Sequence, residues 1–229
     1  MGRKNADLVT YSDRLTHYSP REQLANRITH GVAALASVPA FIVLLITAIR
    51  TGDPYRVVGS AVFAGSLTVL YSISTIYHSV RSQRVRYVFR ILDHAGIFLV
   101  IAATYTPLTL VSLRARHGWL LFGVVWTLAV AGMVLKSLMP HRLRFLSAVF
   151  YIGLGWLVVV DLNGLLAAVP TGGIMWLLTG GLFYTVGILF YALRRIPYNH
   201  AIWHTFVMAG SFCHYWAVLR YVLPTGLLT

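Results

Sequence analysis

The chain has 229 residues, of which 58% are hydrophobic and only 11% are charged, against about a quarter charged residues in a typical soluble domain. This composition excludes an ordinary soluble globular domain and favours a protein built for lipid. The formal net charge is +13, but the basic residues stand between apolar runs. The positive-inside rule and anionic lipids explain them better there than nucleic acid does.

Apolar runs of about twenty residues, each long enough to cross a bilayer as an α-helix, recur along the chain with short polar breaks. They predict an all-α integral membrane bundle of seven transmembrane helices, near residues 31–49, 57–80, 89–111, 119–138, 145–164, 173–193 and 201–223. Around Asp161, Asn163 and Pro170, polar and turn residues interrupt a long apolar region, so six or eight spans also fit the sequence.

Lys and Arg are divided unequally between alternate connections. The N-terminal segment and the second, fourth and sixth connections carry fourteen of them, and the other side carries five. Because this bias sets orientation over short loops, it predicts a cytoplasmic N-terminus and a C-terminus on the far side. The expected organisation is a cytoplasmic N-terminal segment, residues 1–27, followed by one seven-helix transmembrane domain, residues 28–229.

Several histidines and one aspartate gather at the end of the predicted bundle that this orientation assigns to the cytoplasm. They are His30 in the first span, His78 in the second, Asp93 and His94 in the third, and His200 and His204 in the seventh. Any one of these histidines alone would more often be an interfacial residue at a helix end. Chance would scatter such residues over both membrane faces, so the cluster favours a single polar site.

Three neutral imidazoles with an open fourth position describe a catalytic zinc site. His200 and His204 have the i, i+4 spacing that puts both rings on one face of a helix, and with His78 they are the predicted Zn²⁺ ligands. Asp93 is expected to hydrogen-bond a zinc-bound water or the second nitrogen of a ligand. Ser74 lies one turn before His78 and is expected to orient the water or a substrate carbonyl, so Asp93 and Ser74 are the candidate catalytic residues.

Other polar residues within the apolar segments are expected to have structural roles. His214 lies about 15 Å beyond His204 along the last helix at ~1.5 Å per residue, where a polar contact between helices is expected. Asp161, with Asn163, is expected to mark a helix end. The glycines inside the spans are expected to let helices approach closely.

Four short motifs occur in a characteristic order. They are Asn26-Arg27-Ile28-Thr29-His30-Gly31, Ser74-x-x-Tyr77-His78, Leu92-Asp93-His94 followed by Thr104-Tyr105-Thr106-Pro107, and His200-x-x-x-His204. With them the chain, over about residues 20–223, resembles the haemolysin III proteins, bacterial members of the progestin and adipoQ receptor superfamily. The resemblance implies a seven-helix bundle with an intramembrane zinc on His78, His200 and His204, and Ser74 and Asp93 beside it. One departure is Gln23, where the family commonly carries a glutamate; Glu22 is adjacent.

A zinc ion with one open position favours hydrolysis, and a site facing the inner leaflet of a bacterial inner membrane has membrane lipids as its natural partners. The leading hypothesis is therefore a zinc-dependent, ceramidase-like hydrolase of a lipid amide or ester, in which Asp93 handles the proton. One alternative is a receptor-like sensor or regulator of membrane lipid homeostasis with a structural zinc. Another is a haemolytic, membrane-permeabilising activity, which the family name suggests.

Overall fold

The computed structural model describes residues 11, 15–139, 144–193 and 195–224, so residues 1–10 and 12–14 of the predicted N-terminal segment lie outside the described part. Within these ranges every regular element is helical, and the predicted all-α fold is confirmed. The helices are α1 (Pro20–Arg50), α2 (Pro54–Ser79), α3 (Gln83–Pro107), α4 (Gly118–Leu138), α5 (Arg144–Gly155), α6 (Leu162–Ala168), α7 (Thr171–Ala192) and α8 (Asn199–Ala217). A π-helical turn extends α3 over Leu108–Ser112 and α8 over Val218–Val222, and a 3₁₀ segment, Leu157–Asp161, joins α5 to α6.

Six helical stretches in the described ranges are long and apolar enough to cross a membrane. They are α1, α2, α3 with its π-helical end, α4, the broken helix α5–α6 over Leu146–Ala168, and α7. The seventh predicted span corresponds to α8 and its π-helical end, which is not among these six because polar side chains such as His200, His204 and His214 lower its apolar character. Helix α8 packs lengthwise against α7 and also against α1, as expected for a member of the same bundle.

Helix α1 begins well before the apolar stretch predicted for the first span. Ser19 caps it: the Ser19 hydroxyl accepts a hydrogen bond from the Glu22 backbone N–H, and the Glu22 carboxylate accepts one from the Ser19 N–H. This reciprocal capping box, with Pro20 at the first helical position, is a strong start signal. The helix therefore gains about three turns before residue 31, and these turns carry Gln23, Asn26 and Thr29.

Helix α3 lies at the centre of the bundle. In its membrane-length window 72% of the residues are buried, against 22% in the windows of α1, α4 and α7. It contacts α2 closely at Gly59, where an added Cβ would lie 2.9 Å from Cα of Pro107. This central position brings Asp93 and His94, in the first half of α3, into the interior.

The fifth span is broken where the sequence is least regular. The Tyr105 hydroxyl of α3 lies 3.0 Å from the Leu154 carbonyl and 2.8 Å from the Gly155 carbonyl, and it accepts from the Val158 N–H at 2.9 Å. These bonds serve backbone groups that the break leaves without helical partners. After the 3₁₀ segment, the Asp161 carboxylate caps α6 by accepting from the Gly164 N–H at 3.2 Å. The prediction that Asp161 marks a helix end is confirmed.

Candidate metal centre

Three buried histidines converge between the end of α2 and the start of α8. One ring nitrogen of each of His78, His200 and His204 lies within 4.8 Å of those of the other two. Ring centroids are 5.2 Å apart for His78 and His200, 5.3 Å for His78 and His204, and 4.4 Å for His200 and His204. These residues, here called the histidine triad, are the three predicted metal ligands, and the structure brings them to one position.

The start of α8 is held to the start of α1. Tyr198 precedes α8 in the left-handed backbone region, with φ 58°, a conformation that is uncommon for a residue other than glycine. Its backbone N–H donates to the Glu22 carboxylate at 3.1 Å. One carboxylate thus caps α1 and also fixes the turn that leads into His200 and His204.

The triad has the features of a site that would accept a metal ion. The Nε2 atoms of His78 and His200 are buried and have no hydrogen-bond partner among the described residues. Buried polar atoms are nearly always paired, so these two nitrogens indicate a place where a ligand would bind. Three histidine nitrogens at one position are also the donor set of many catalytic zinc sites. The residues present therefore fit a zinc ion.

The second nitrogens of two triad histidines have partners on α1. Nδ1 of His78 lies 3.4 Å from Oε1 of Gln23, whose Nε2 donates to the His78 backbone carbonyl at 3.0 Å. Nδ1 of His204 lies 2.9 Å from Oγ1 of Thr29. One role predicted for Asp93 was a hydrogen bond to the second nitrogen of a ligand. At His78 and His204, Gln23 and Thr29 have that role instead.

Asp93 itself is buried, and its carboxylate lies 3.4 Å from Nδ1 of His94. The same His94 nitrogen lies 2.8 Å from the Arg90 backbone carbonyl, which as an acceptor requires a proton on that nitrogen. Ser74 is fully buried one turn before His78, and its hydroxyl has no partner among the described residues. Hydrogen bonding by Asp93 or Ser74 to a metal-bound water stays a prediction.

Two further polar residues of α1 lie at the site: His30, which the sequence placed in the polar cluster without a role, and Asn26, which it did not place there. The ring of His30 stacks on that of His204 with centroids 3.5 Å apart and planes 13° apart, and both His30 nitrogens are buried without a partner among the described residues. Both polar atoms of the Asn26 side chain are also buried without a partner among the described residues. The available signal was the motif from Asn26 to Gly31, which places these residues together on α1.

A cavity of about 100 Å³ extends from the triad into the bundle. At one end it is lined by His30, Asp93, His200 and His204, and at the other by His214. Its walls between these ends are largely apolar, with Ile97, Val100, Ile101, Ile188 and Val207 among them. An apolar cavity that ends at a few convergent polar groups is the usual form of a small-molecule site.

His214 makes the polar contact between helices that the sequence predicted. Its Nε2 lies 3.0 Å from the Leu177 backbone carbonyl of α7. It is therefore a point of attachment between α7 and α8 as well as a wall of the cavity.

Comparison with known proteins gives matches over most of the chain. The family model described as Haemolysin-III related matches residues 18–215. Hemolysin-3 of Bacillus cereus is 42% identical over 213 residues, covering 93% of this chain and 97% of that protein. The Hemolysin-3 homolog of Bacillus subtilis (strain 168) is 37% identical over 212 residues, covering 93% and 100%. Human Monocyte to macrophage differentiation factor is 28% identical over 214 residues, covering 88% and 84%. The family match includes every residue of the candidate metal centre.

Proposed function

The chain belongs to the haemolysin III-related family, and from that premise we propose that this multi-pass membrane protein is a zinc-dependent hydrolase of a lipid amide or ester. The observation that carries the proposal is the junction of the triad with the cavity. His200 and His204 line an apolar cavity, and unpartnered nitrogens of His78 and His200 meet beside it. A lipid acyl chain in that cavity would bring its carbonyl group to the polar end.

Zinc would be held by His78, His200 and His204. Bound there, it would supply Lewis acidity, which polarises a carbonyl and makes water more acidic near neutral pH. The triad lies at the polar end of a largely apolar cavity, and electrostatic interactions are strong where little water is present.

The protein groups beside the triad would handle the proton and the carbonyl oxygen. Asp93 would accept a proton from the attacking water and pass it to the leaving amine or alcohol, the role of a general acid–base. His94 Nδ1, 3.4 Å from the Asp93 carboxylate, would keep that group in place. Ser74 has a buried hydroxyl with no partner among the described residues, and it would donate to the carbonyl oxygen of the substrate.

A second candidate function is regulation of membrane lipid homeostasis with a structural zinc. One observation favours it: α2 and α8 each pack against α1 but make little backbone contact with each other. A metal on His78, His200 and His204 would therefore add a direct link between α2 and α8. Haemolytic activity, the third hypothesis, has its support in the names of the Bacillus relatives.

The first test compares metal content and turnover in three purified proteins. They are the wild type, His204→Ala, and His117→Ala as a control whose side chain is 73% exposed in the α3–α4 connection. We expect about one zinc per chain in the wild type and in the control, and none in His204→Ala. The same proteins in liposomes are then given a fluorescent ceramide, as an amide, and a fluorescent phosphatidylcholine, as an ester.

The two parts of this test separate the candidate functions. Release of fluorescent fatty acid from either lipid by the wild type and the control, but not by His204→Ala, supports the hydrolase. If the zinc content depends on His204 but no fatty acid is released from either lipid, the structural role is favoured. Absence of zinc from folded wild type overturns both zinc-dependent functions.

We also propose that the triad faces the cytoplasm in the bacterial inner membrane, as the distribution of Lys and Arg predicts. In a Cys213→Ala background, a single cysteine reports which side of the membrane a connection faces. Ser82→Cys reports this for the α2–α3 connection, and Arg116→Cys reports it for the α3–α4 connection. An impermeant maleimide added to spheroplasts should label Arg116→Cys and leave Ser82→Cys unlabelled until the membrane is opened. The reverse pattern would overturn the proposed orientation.

A further inference from the structure

One short segment of the chain contacts all three triad histidines. The ring of Tyr18 stacks on that of His200, with centroids 5.3 Å apart and planes 27° apart. Four residues into α1, Gln23 meets His78, and two turns later Thr29 meets His204. Tyr18 and the first turns of α1 therefore line the triad, with Gln23 and Thr29 at the Nδ1 atoms of His78 and His204.

Gln23 determines which nitrogen of His78 carries the proton. Its amide nitrogen donates to the His78 carbonyl at 3.0 Å; the reversed amide would set oxygen against oxygen, since both atoms are acceptors only. The amide oxygen is thereby directed at Nδ1 of His78, 3.4 Å away, and that nitrogen must be the donor. In the neutral ring Nε2 is then unprotonated, and it is the atom that lies buried without a partner.

Thr29 has the same effect on His204 by a different route. Its hydroxyl oxygen lies 3.0 Å from both the Ala25 and the Asn26 carbonyl oxygens, and in the back-bonding of a helical threonine its single proton is donated to one of them. Toward Nδ1 of His204, 2.9 Å away, the hydroxyl can therefore only accept. Nδ1 of His204 carries the proton, and Nε2 keeps its lone pair.

We infer that Gln23 and Thr29 are positioning residues, which hold the proton on Nδ1 of His78 and His204 so that each ring presents Nε2 to the metal. The inference rests on the zinc site of the proposed function, but it holds whether that zinc is catalytic or structural. Outer partners of this kind fix the tautomer and the orientation of a ligating histidine, and their loss costs about 10- to 100-fold in metal affinity. The amide at Gln23 is notable because it serves His78 twice, at the ring and at the backbone.

The test measures zinc affinity on the purified full chain by competition with a chromophoric chelator at fixed pH. Thr29→Val removes the hydroxyl at constant size, and Thr29→Ser keeps it. Gln23→Met removes both hydrogen bonds, and Gln23→Glu keeps an acceptor for the ring but loses the donor to the His78 carbonyl. Thr47→Val is the matched control, because Thr47 lies on α1 and bonds the Val43 carbonyl one turn back in the same way.

We expect Thr29→Val and Gln23→Met each to weaken zinc binding by about 10- to 100-fold, while Thr29→Ser and Thr47→Val stay close to wild type and Gln23→Glu falls between. The visible spectrum of the Co²⁺-substituted protein, which reports ligand geometry, should change in Thr29→Val and return in Thr29→Ser. Thermal unfolding in excess chelator measures the separate cost of leaving Nδ1 of His204 unpaired in Thr29→Val, and the loss of zinc affinity is read beside it. If Thr29→Val does not fold, the zinc affinity of Gln23→Met still tests the positioning role.

Two negative results have different meanings. Wild-type zinc affinity and Co²⁺ spectra in Thr29→Val and Gln23→Met, with zinc abolished in His204→Ala, would overturn the positioning roles and leave the site intact. Wild-type zinc affinity in His204→Ala as well would show that the triad is not the metal site, and the inference would fail with it.

Discussion

Gly180 of α7 faces the imidazole ring of His214 on α8 so closely that a Cβ on residue 180 would overlap Cδ2 of that ring. The Nε2 atom of the same ring bonds the Leu177 carbonyl at 3.0 Å. Its other close neighbour on α7 is Tyr184, whose ring meets it edge to face at 5.4 Å. A small residue at 180 is thus what allows a histidine to bridge two helices here, in agreement with the role of glycines in membrane helix packing.

Gly180→Ala should therefore destabilise the protein. The added methyl group must displace the His214 ring or separate α7 from α8, and overpacking of this kind costs about 1–3 kcal/mol. The measurement is thermal unfolding in detergent, followed by intrinsic tryptophan fluorescence. The control is Gly153→Ala on α5, where an added Cβ meets nothing within 4 Å. Equal melting temperatures for the two variants would contradict the packing argument.

Tyr105→Phe should destabilise the break between α5 and α6. The hydroxyl serves the Leu154 and Gly155 carbonyls and the Val158 N–H, and a buried backbone group left unpaired costs about 1–3 kcal/mol. Amide hydrogen exchange should rise over residues 154–158 as the melting temperature falls. Tyr55→Phe, at a partly exposed ring that packs on Trp119, should change neither. Unaltered exchange in Tyr105→Phe would show that the break is held by other contacts.

Much of the architecture could be predicted from the sequence because a bilayer imposes a length scale on every apolar run. The segments predicted for the first four spans correspond to α1–α4, and the HxxxH spacing of His200 and His204 fixes one helix face without any tertiary information. The convergence of His78 on that face was predictable because span order and orientation assign both to one end of the bundle.

The partners of the histidines could not be predicted in the same way. Gln23 and Thr29 lie before the apolar run. The pattern Ser19-Pro20-Arg21-Glu22 indicates a helix start there only when it is recognised as a capping box. Their contacts join positions 55 and 175 residues apart in the chain. Side-chain hydrogen bonds over such separations depend on helix rotation and depth, which apolar periodicity does not specify.

Removal of zinc should lower the melting temperature of the wild type. Because α2 and α8 make little backbone contact with each other, a metal on the triad adds a link between them that is present only in the folded state. Binding to the folded state alone stabilises by about 2.7 kcal/mol when free zinc is 100 times the dissociation constant. The melting temperature is compared in excess chelator and in excess zinc, with His204→Ala as control. A shift of equal size in His204→Ala would show that zinc acts elsewhere.

Asp93→Asn should separate metal binding from chemistry. Asparagine has nearly the size of aspartate and can still hydrogen-bond, but its amide cannot take up the proton of the attacking water. If the proposed hydrolase is correct, zinc content stays at the wild-type level while turnover of the fluorescent lipid falls by about 10²- to 10⁴-fold, the usual contribution of a general acid–base. Asp161→Asn, at the cap of α6, is the control and should keep full turnover.

Full turnover by zinc-loaded Asp93→Asn would remove Asp93 from the proton transfer. Loss of zinc together with turnover would instead mean that its buried carboxylate supports the metal site, because Asp93 lines the cavity together with His200 and His204.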